Sequence, residues 1–216
     1  MDKICVSIFA NDYNFCIKVV KKYEFVELRL DEGKLSNTQI GEIINTGKKI
    51  IATCKNGLIN DEKRFVTLMS AINHGCDFID IEHDFEPAYK NKLVDSAKSN
   101  ECKIINSYHN FDETPDYKDL KNIASTLNNN CDIIKIACKV NSHYELLNLL
   151  NLYREFETGK LISLGMGDIG KISRVASLIM GSPFTYTSTG HGSETSEGQI
   201  DYETLNQIMN ELNISK

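Results

Sequence analysis

Short apolar runs rich in β-branched residues recur along the chain at residues 4–9, 25–30, 49–54, 78–82, 103–109, 132–137, 161–166 and 184–188. Each is bounded by polar residues and has the length of a buried strand. Helical patterns lie between them. Phe65, Leu68, Met69 and Ile72 fall at helical spacing, with Gly75 as a C-terminal stop. Ser36 opens a helix whose apolar face carries Ile40, Ile43 and Ile44. Thr114 with Pro115 reads as an N-cap and first helical position ahead of Leu120, Ile123 and Leu127. Ser142 and Glu145 form a capping box before Leu146, Leu147, Leu149 and Leu150.

Eight strand-like runs alternating with helices predict an α/β protein of the (β/α)8 TIM-barrel class, with an open doubly wound sheet as the alternative. No linker or composition break divides residues 1–216, so a single, compact catalytic barrel domain is expected. The first run begins at Ile4, so a barrel without an N-terminal closing hairpin is expected.

The period of two within each strand then separates two faces. Val26, Leu28 and Leu30 oppose Glu27 and Arg29; Ile79 and Ile81 oppose Asp80 and Glu82; His109 ends the fifth run. In the sixth run Ile134 and Ile136 oppose Ile133, Lys135 and Ala137, which aims a lysine at the barrel interior. Burying an ammonium is costly, and a buried lysine either pairs with a carboxylate or becomes a neutral nucleophile toward carbonyls. Taken alone, the same lysine would read as a strand-end residue reaching for solvent. Ionisable residues on several strands, all inward and toward one end, point instead to a catalytic site. Lys135 would condense with a carbonyl, and the iminium would act as an electron sink for removal of a neighbouring proton by His109. Glu27, Asp80 and Glu82 could orient hydroxyls or hold the lysine and histidine. Arg29 and Arg174 offer forks for a carboxylate or phosphate.

Composition narrows the class further. A net charge of −6 with no Lys/Arg block argues against a nucleic-acid surface. No apolar run approaches membrane-spanning length, and no secretory leader pattern is present. Seven scattered cysteines without a C-x-x-C pair fit reduced thiols in a cytoplasmic protein, which makes the Asn213-Ile214-Ser215 sequon irrelevant.

Two motifs are decoys. Gly165-Met166-Gly167-Asp168-Ile169-Gly170 matches G-x-G-x-x-G but lies near the C-terminus, with no acidic strand end following it. It reads as a tight loop after the seventh strand, whose helix N-terminus could meet an anion. Glu82-His83-Asp84 lacks further ligands at metal-site spacing and reads as a solvated acidic turn.

An ordered series of motifs spans nearly the whole chain: Glu27-Leu28-Arg29-Leu30-Asp31, Asp80-Ile81-Glu82, Ser107-Tyr108-His109-Asn110-Phe111 running on to Thr114-Pro115, and Asp132-Ile133-Ile134-Lys135-Ile136-Ala137. Met166-Gly167, Ile172-Ser173-Arg174 and Glu194-Thr195-Ser196-Glu197-Gly198-Gln199-Ile200 complete it. In this series the chain resembles type I 3-dehydroquinate dehydratase, the Schiff-base enzyme of the shikimate pathway. The resemblance implies that Lys135 forms an imine with the C3 ketone of dehydroquinate. His109 would take a C2 proton and return it as the C1 hydroxyl leaves in a syn elimination. Arg174 would clamp the carboxylate, and Glu27 and Arg29 would bind ring hydroxyls. Thr195 and Gln199 would lie in a lid after the eighth strand, with residues 188–198 ordering over substrate. Met166 and Tyr186 would pack on the ring, and Ser7 and Lys55 would complete the substrate contacts. No cofactor and no metal are implied.

The chain departs from that family in several places. Lys55-Asn56-Gly57 stands where an arginine followed by Glu-Gly-Gly is usual, and the acidic partner of the histidine is not evident, Asp61 and Glu62 being the nearest substitutes. Tyr186 replaces a common phenylalanine. Glu197 replaces a lid proline, which is expected to loosen the loop and to add negative charge near an anionic substrate. The expectation is a cytoplasmic, cofactor-free lyase, with a homodimer as the default assembly. Its rivals are another Schiff-base barrel of the class I aldolase kind and a barrel that binds ligand without turnover.

Overall fold

The computed structural model describes residues 3–190 and 192–214. His191, inside the expected lid, and Ser215 of the sequon lie outside the described residues. Eight strands alternate with eight helices: β1 Ile4–Phe9, α1 Tyr13–Lys22, β2 Phe25–Arg29, α2 Asn37–Ile44, β3 Lys49–Thr53, α3 Asp61–Asn73, β4 Phe78–Glu82 and α4 Pro87–Ser99 make the first half. The second comprises β5 Lys103–Asn110, α5 Tyr117–Leu127, β6 Ile133–Lys139, α6 His143–Asn151, β7 Leu161–Met166, α7 Ser173–Ile179, β8 Thr185–Thr187 and α8 Tyr202–Glu211. The strand order, β7-β6-β5-β4-β3-β2-β1-β8, steps through the chain one strand at a time and returns β1 beside β8. That is the (β/α)8 order and excludes a doubly wound sheet, whose order reverses at a switch point. No strand precedes β1 among the described residues.

The chain divides into two compact units, one comprising Ser7–Ile105 and the other the segment up to Val6 together with Asn106 onward. Within the first, β2, β3 and β4 pair in parallel, with Arg29 opposite Thr53 and Thr53 opposite Asp80. Within the second, β6 and β7 pair from Ile134–Leu161 to Lys139–Met166, and β1 pairs with β8.

Local chemistry explains the helix starts. Side-chain oxygens of Asp12, Ser36, Asn60, Glu86, Asp116, Ser142 and Asp201 accept backbone N–H groups of the first turns, each cap contributing about 1 kcal/mol. Ser36 and Gln39 make a reciprocal capping box. The fifth helix corrects an expectation: its cap is Asp116, not Thr114, because the Thr114 hydroxyl donates to the Lys139 carbonyl at 2.6 Å and joins the helix entry to the end of β6.

In the second unit, Ile134, Ile136, Cys138 and Val140 pack with Leu120, Ala124, Leu127, Leu149 and Leu152 in one apolar cluster. That packing takes the even-numbered face of β6 and leaves Lys135 on the other. Ile4, Val175, Leu178, Leu205 and Met209 form a second cluster that anchors α7 and α8. No helix among the described residues is long and apolar enough to cross a membrane.

Candidate active site

Lys135 sits in mid-strand on β6 and is only 5% exposed. Its Nζ lies over the ring of Tyr186 on β8, 4.5 Å from the centroid. Phe184 meets Tyr186 edge to face at 5.4 Å and fixes the ring plane. The ring's negative face offsets part of the cost of desolvating the ammonium. His109 stands near the end of β5, half-buried, with its imidazole stacked on Phe111 at 6.1 Å.

Arg174 is 2% exposed on α7. One guanidinium nitrogen donates to the Gly165 carbonyl at 2.9 Å, while the buried Nε has no partner among the described residues. Burial pushes its pKa down to about 10. A buried guanidinium in that condition favours an anion, and its planar fork matches a carboxylate. Gly165 precedes Met166, the buried last residue of β7, so Arg174 is tied to the strand end that carries Met166.

Thr195 and Gln199, expected in a lid, are bonded to each other. Thr195 donates its N–H to Gln199 Oε1 at 2.8 Å, and Gln199 Nε2 donates to Thr195 Oγ1 at 3.0 Å. Glu197 does not loosen this loop: its carboxylate pairs with Lys139 at 2.5 Å and its carbonyl accepts the Gly167 N–H at 3.3 Å. Its charge is therefore met by a cation. Lys139 was invisible as a site residue, although it lies four residues after Lys135 and shares its strand face by the period of two.

In the Ser7–Ile105 unit the acidic residues of β2 and β4 are buried and occupied. Glu27 accepts from the Ser7 hydroxyl through Oε2 and from Thr53 through Oε1 at 2.8 Å. Arg29 forks onto Asp31, with Nε at 3.0 Å and a terminal nitrogen at 2.5 Å. Burial would lower the Arg29 pKa, but Asp31, Glu27 and Asp80 outweigh it and the net direction is upward. Asp31 also accepts the Lys55 N–H at 2.8 Å, which shapes the chain after β3.

Arg64, fully buried on α3, was not anticipated. It donates to the Cys54 carbonyl at 3.0 Å, to Asp61 at 2.6 Å and to Glu82 at 2.8 Å, and lies over the Phe85 ring. Its place on the apolar face with Leu68 was the available signal. Asp61, offered as a stand-in for the histidine's acidic partner, is engaged by Arg64 and by the Glu86 N–H, while Glu62 is exposed. The solvated reading of Glu82-His83-Asp84 fails at its first residue: His83 and Asp84 are exposed, but Glu82 is buried against Arg64 and the Asn56 N–H.

A buried strand lysine, a buried unsatisfied arginine and a histidine within one unit suit Schiff-base chemistry on an anionic carbonyl compound. A family profile described as Type I 3-dehydroquinase matches residues 4–216. The chain belongs to that family. The 3-dehydroquinate dehydratase of Methanococcus maripaludis is 31% identical over 226 residues, covering 97% of this chain and 100% of that protein. The 3-dehydroquinate dehydratase structure from Aquifex aeolicus is 30% identical, with a TM-score of 0.83 over 97% of this chain and 98% of that one. A type I structure from Clostridium difficile superimposes with a TM-score of 0.84 at 24% identity, over 97% and 91% of the two chains, and carries a covalently modified comenic acid. The fold of this type I 3-dehydroquinase is thus the (β/α)8 barrel, and its activity is that of a hydro-lyase on 3-dehydroquinate, for which the lysine Schiff base is characteristic.

Proposed function

We propose that Lys135 is the nucleophile of this hydro-lyase and His109 its acid and base. The observation that carries the reading is the burial of Lys135 in mid-strand, on the face of β6 opposite the apolar cluster. The amine condenses with the C3 ketone and releases water, which leaves a protonated imine on Nζ. His109 takes a C2 proton, and the electron pair moves into the imine to give an enamine. Its return expels the C1 hydroxyl, which His109 protonates, and hydrolysis of the imine yields 3-dehydroshikimate and free Lys135.

Arg174 takes the substrate carboxylate, a role supported by its buried Nε, which has no partner among the described residues. Glu27, Arg29, Ser7, Lys55, Met166, Tyr186, Thr195 and Gln199 are the proposed substrate contacts. The covalent adduct named for the Clostridium difficile structure supports nucleophilic chemistry in the family. We extend the reading to a single catalytic domain over 1–216 and to a cytoplasmic homodimer. Seven free cysteines, six of them buried, support a reducing compartment, and light scattering tests the dimer.

Borohydride reduction in the presence of 3-dehydroquinate, followed by peptide mass spectrometry, tests the mechanism. A reduced adduct on Lys135 is the expected result. A folded, turning-over enzyme with no adduct, or with an adduct on another lysine, overturns it.

A further inference from the structure

Three segments of this chain meet at one point: the end of β6, the turn after β7, and residues 195–199. Lys139 lies at the end of β6, paired in register with Met166. Its stem and ammonium run over Gly167, where a Cβ would come within 3.1 Å of Nζ. The ammonium then meets Glu197 at 2.5 Å. From the other side the Glu197 carbonyl accepts the Gly167 N–H, and Gly198 lies so close that a Cβ there would fall 2.5 Å from the Gly167 oxygen. Both glycines have positive φ, +83° and +76°, so neither position accepts a side chain without strain.

We infer that Lys139 and Glu197 form a clasp that positions Thr195 and Gln199 for substrate. The ion pair, the backbone hydrogen bond and the glycine contact all act on Glu197 and Gly198, two of the three residues between Thr195 and Gln199, whose own side chains are bonded to each other. The clasp sits on the turn that directly follows the end of β7, the strand that carries Met166 and, through the Gly165 carbonyl, meets the Arg174 guanidinium. Lys139 and Glu197 touch no reacting atom; they are positioning residues. A proline at position 197 would stiffen the loop by fixing φ. Glu197 replaces that stiffness with an electrostatic tie, which salt weakens.

The inference rests on the proposed roles of Thr195 and Gln199, and its test separates the two. Wild type, Lys139→Ala, Glu197→Ala and the exchange Lys139→Glu with Glu197→Lys are compared by steady-state kinetics on 3-dehydroquinate and by hydrogen exchange of the Gly167 amide. Each single variant is expected to raise KM about two- to fivefold, the range of a partly exposed ion pair, with kcat within about twofold. Each should also speed Gly167 exchange and flatten the rise of KM with salt, and the exchange variant should restore both readouts. Unchanged KM and unchanged Gly167 protection in the singles, or an exchange variant no better than the worse single, would overturn the clasp. Faster Gly167 exchange with unaltered KM would keep the tie but remove its link to substrate. Thr195→Ala and Gln199→Ala with native KM would instead defeat the parent reading.

Discussion

The ammonium of Lys135 lies 4.5 Å from the centre of the Tyr186 ring. A tyrosine therefore does part of the work of water for a cation that is 5% exposed. Tyr186→Phe keeps the ring face and should leave stability within about 0.5 kcal/mol, whereas Tyr186→Leu should cost roughly 1–2 kcal/mol from the lost cation–π contact in addition to packing. A double-mutant cycle with Lys135→Met isolates the contact. With the ammonium gone, the Phe–Leu difference should shrink by that amount, and an unchanged difference in thermal denaturation would assign Tyr186 to packing alone.

Arg174 has the signature of a group kept for a ligand rather than for folding. Its pKa is depressed from 12.5 to about 10 by burial, so at neutral pH the charged form carries the full desolvation cost, which is relieved only as pH rises above about 10. Arg174→Met should then lower the melting temperature little. The same change should weaken substrate by on the order of 100-fold or more, the scale of removing one partner of a buried charge pair. A large loss of stability with little change in KM would refute the carboxylate clamp.

Arg64 should behave in the opposite way. It satisfies the buried Glu82 carboxylate, the Asp61 carboxylate and the Cys54 carbonyl together. Removing one partner of a buried ion pair typically costs about 3–5 kcal/mol. Arg64→Ala should therefore lower the melting temperature by roughly 6–20 °C for a chain of this size. Calorimetry that finds it within a degree or two of wild type would mean the network is dispensable.

Alkaline pH should destabilise the protein through its buried thiols. Burial raises Cys54 and Cys138 from the ordinary value of 9.0 to about 12. Between those limits the unfolded thiol ionises while the folded one stays protonated, so folding stability falls as pH rises above 9. The slope should approach about 1.4 kcal/mol per pH unit for each thiol. Cys54→Ala with Cys138→Ala should flatten the decline of melting temperature between pH 9 and 11, and an unaltered slope would point to other groups.

The strand runs, the helix starts at Ser36 and Ser142, and the turning of Lys135 away from the apolar face of β6 were legible in the amino-acid order. These follow from local periodicity and from the oddity of a charge within an apolar run, which need no knowledge of the fold. Hydrogen-bonding choices were not legible. Thr114 looked like a cap, yet a carbonyl 25 residues away claimed its hydroxyl and the cap passed to Asp116. Glu82 looked solvated until α3 brought Arg64 against it, and Glu197 looked like a loosened hinge until β6 supplied Lys139. A charged side chain's role depends on which partner the fold delivers within about 3 Å. That partner is usually distant in sequence, so composition and spacing determine that a charge is present, and only the tertiary structure decides what it holds.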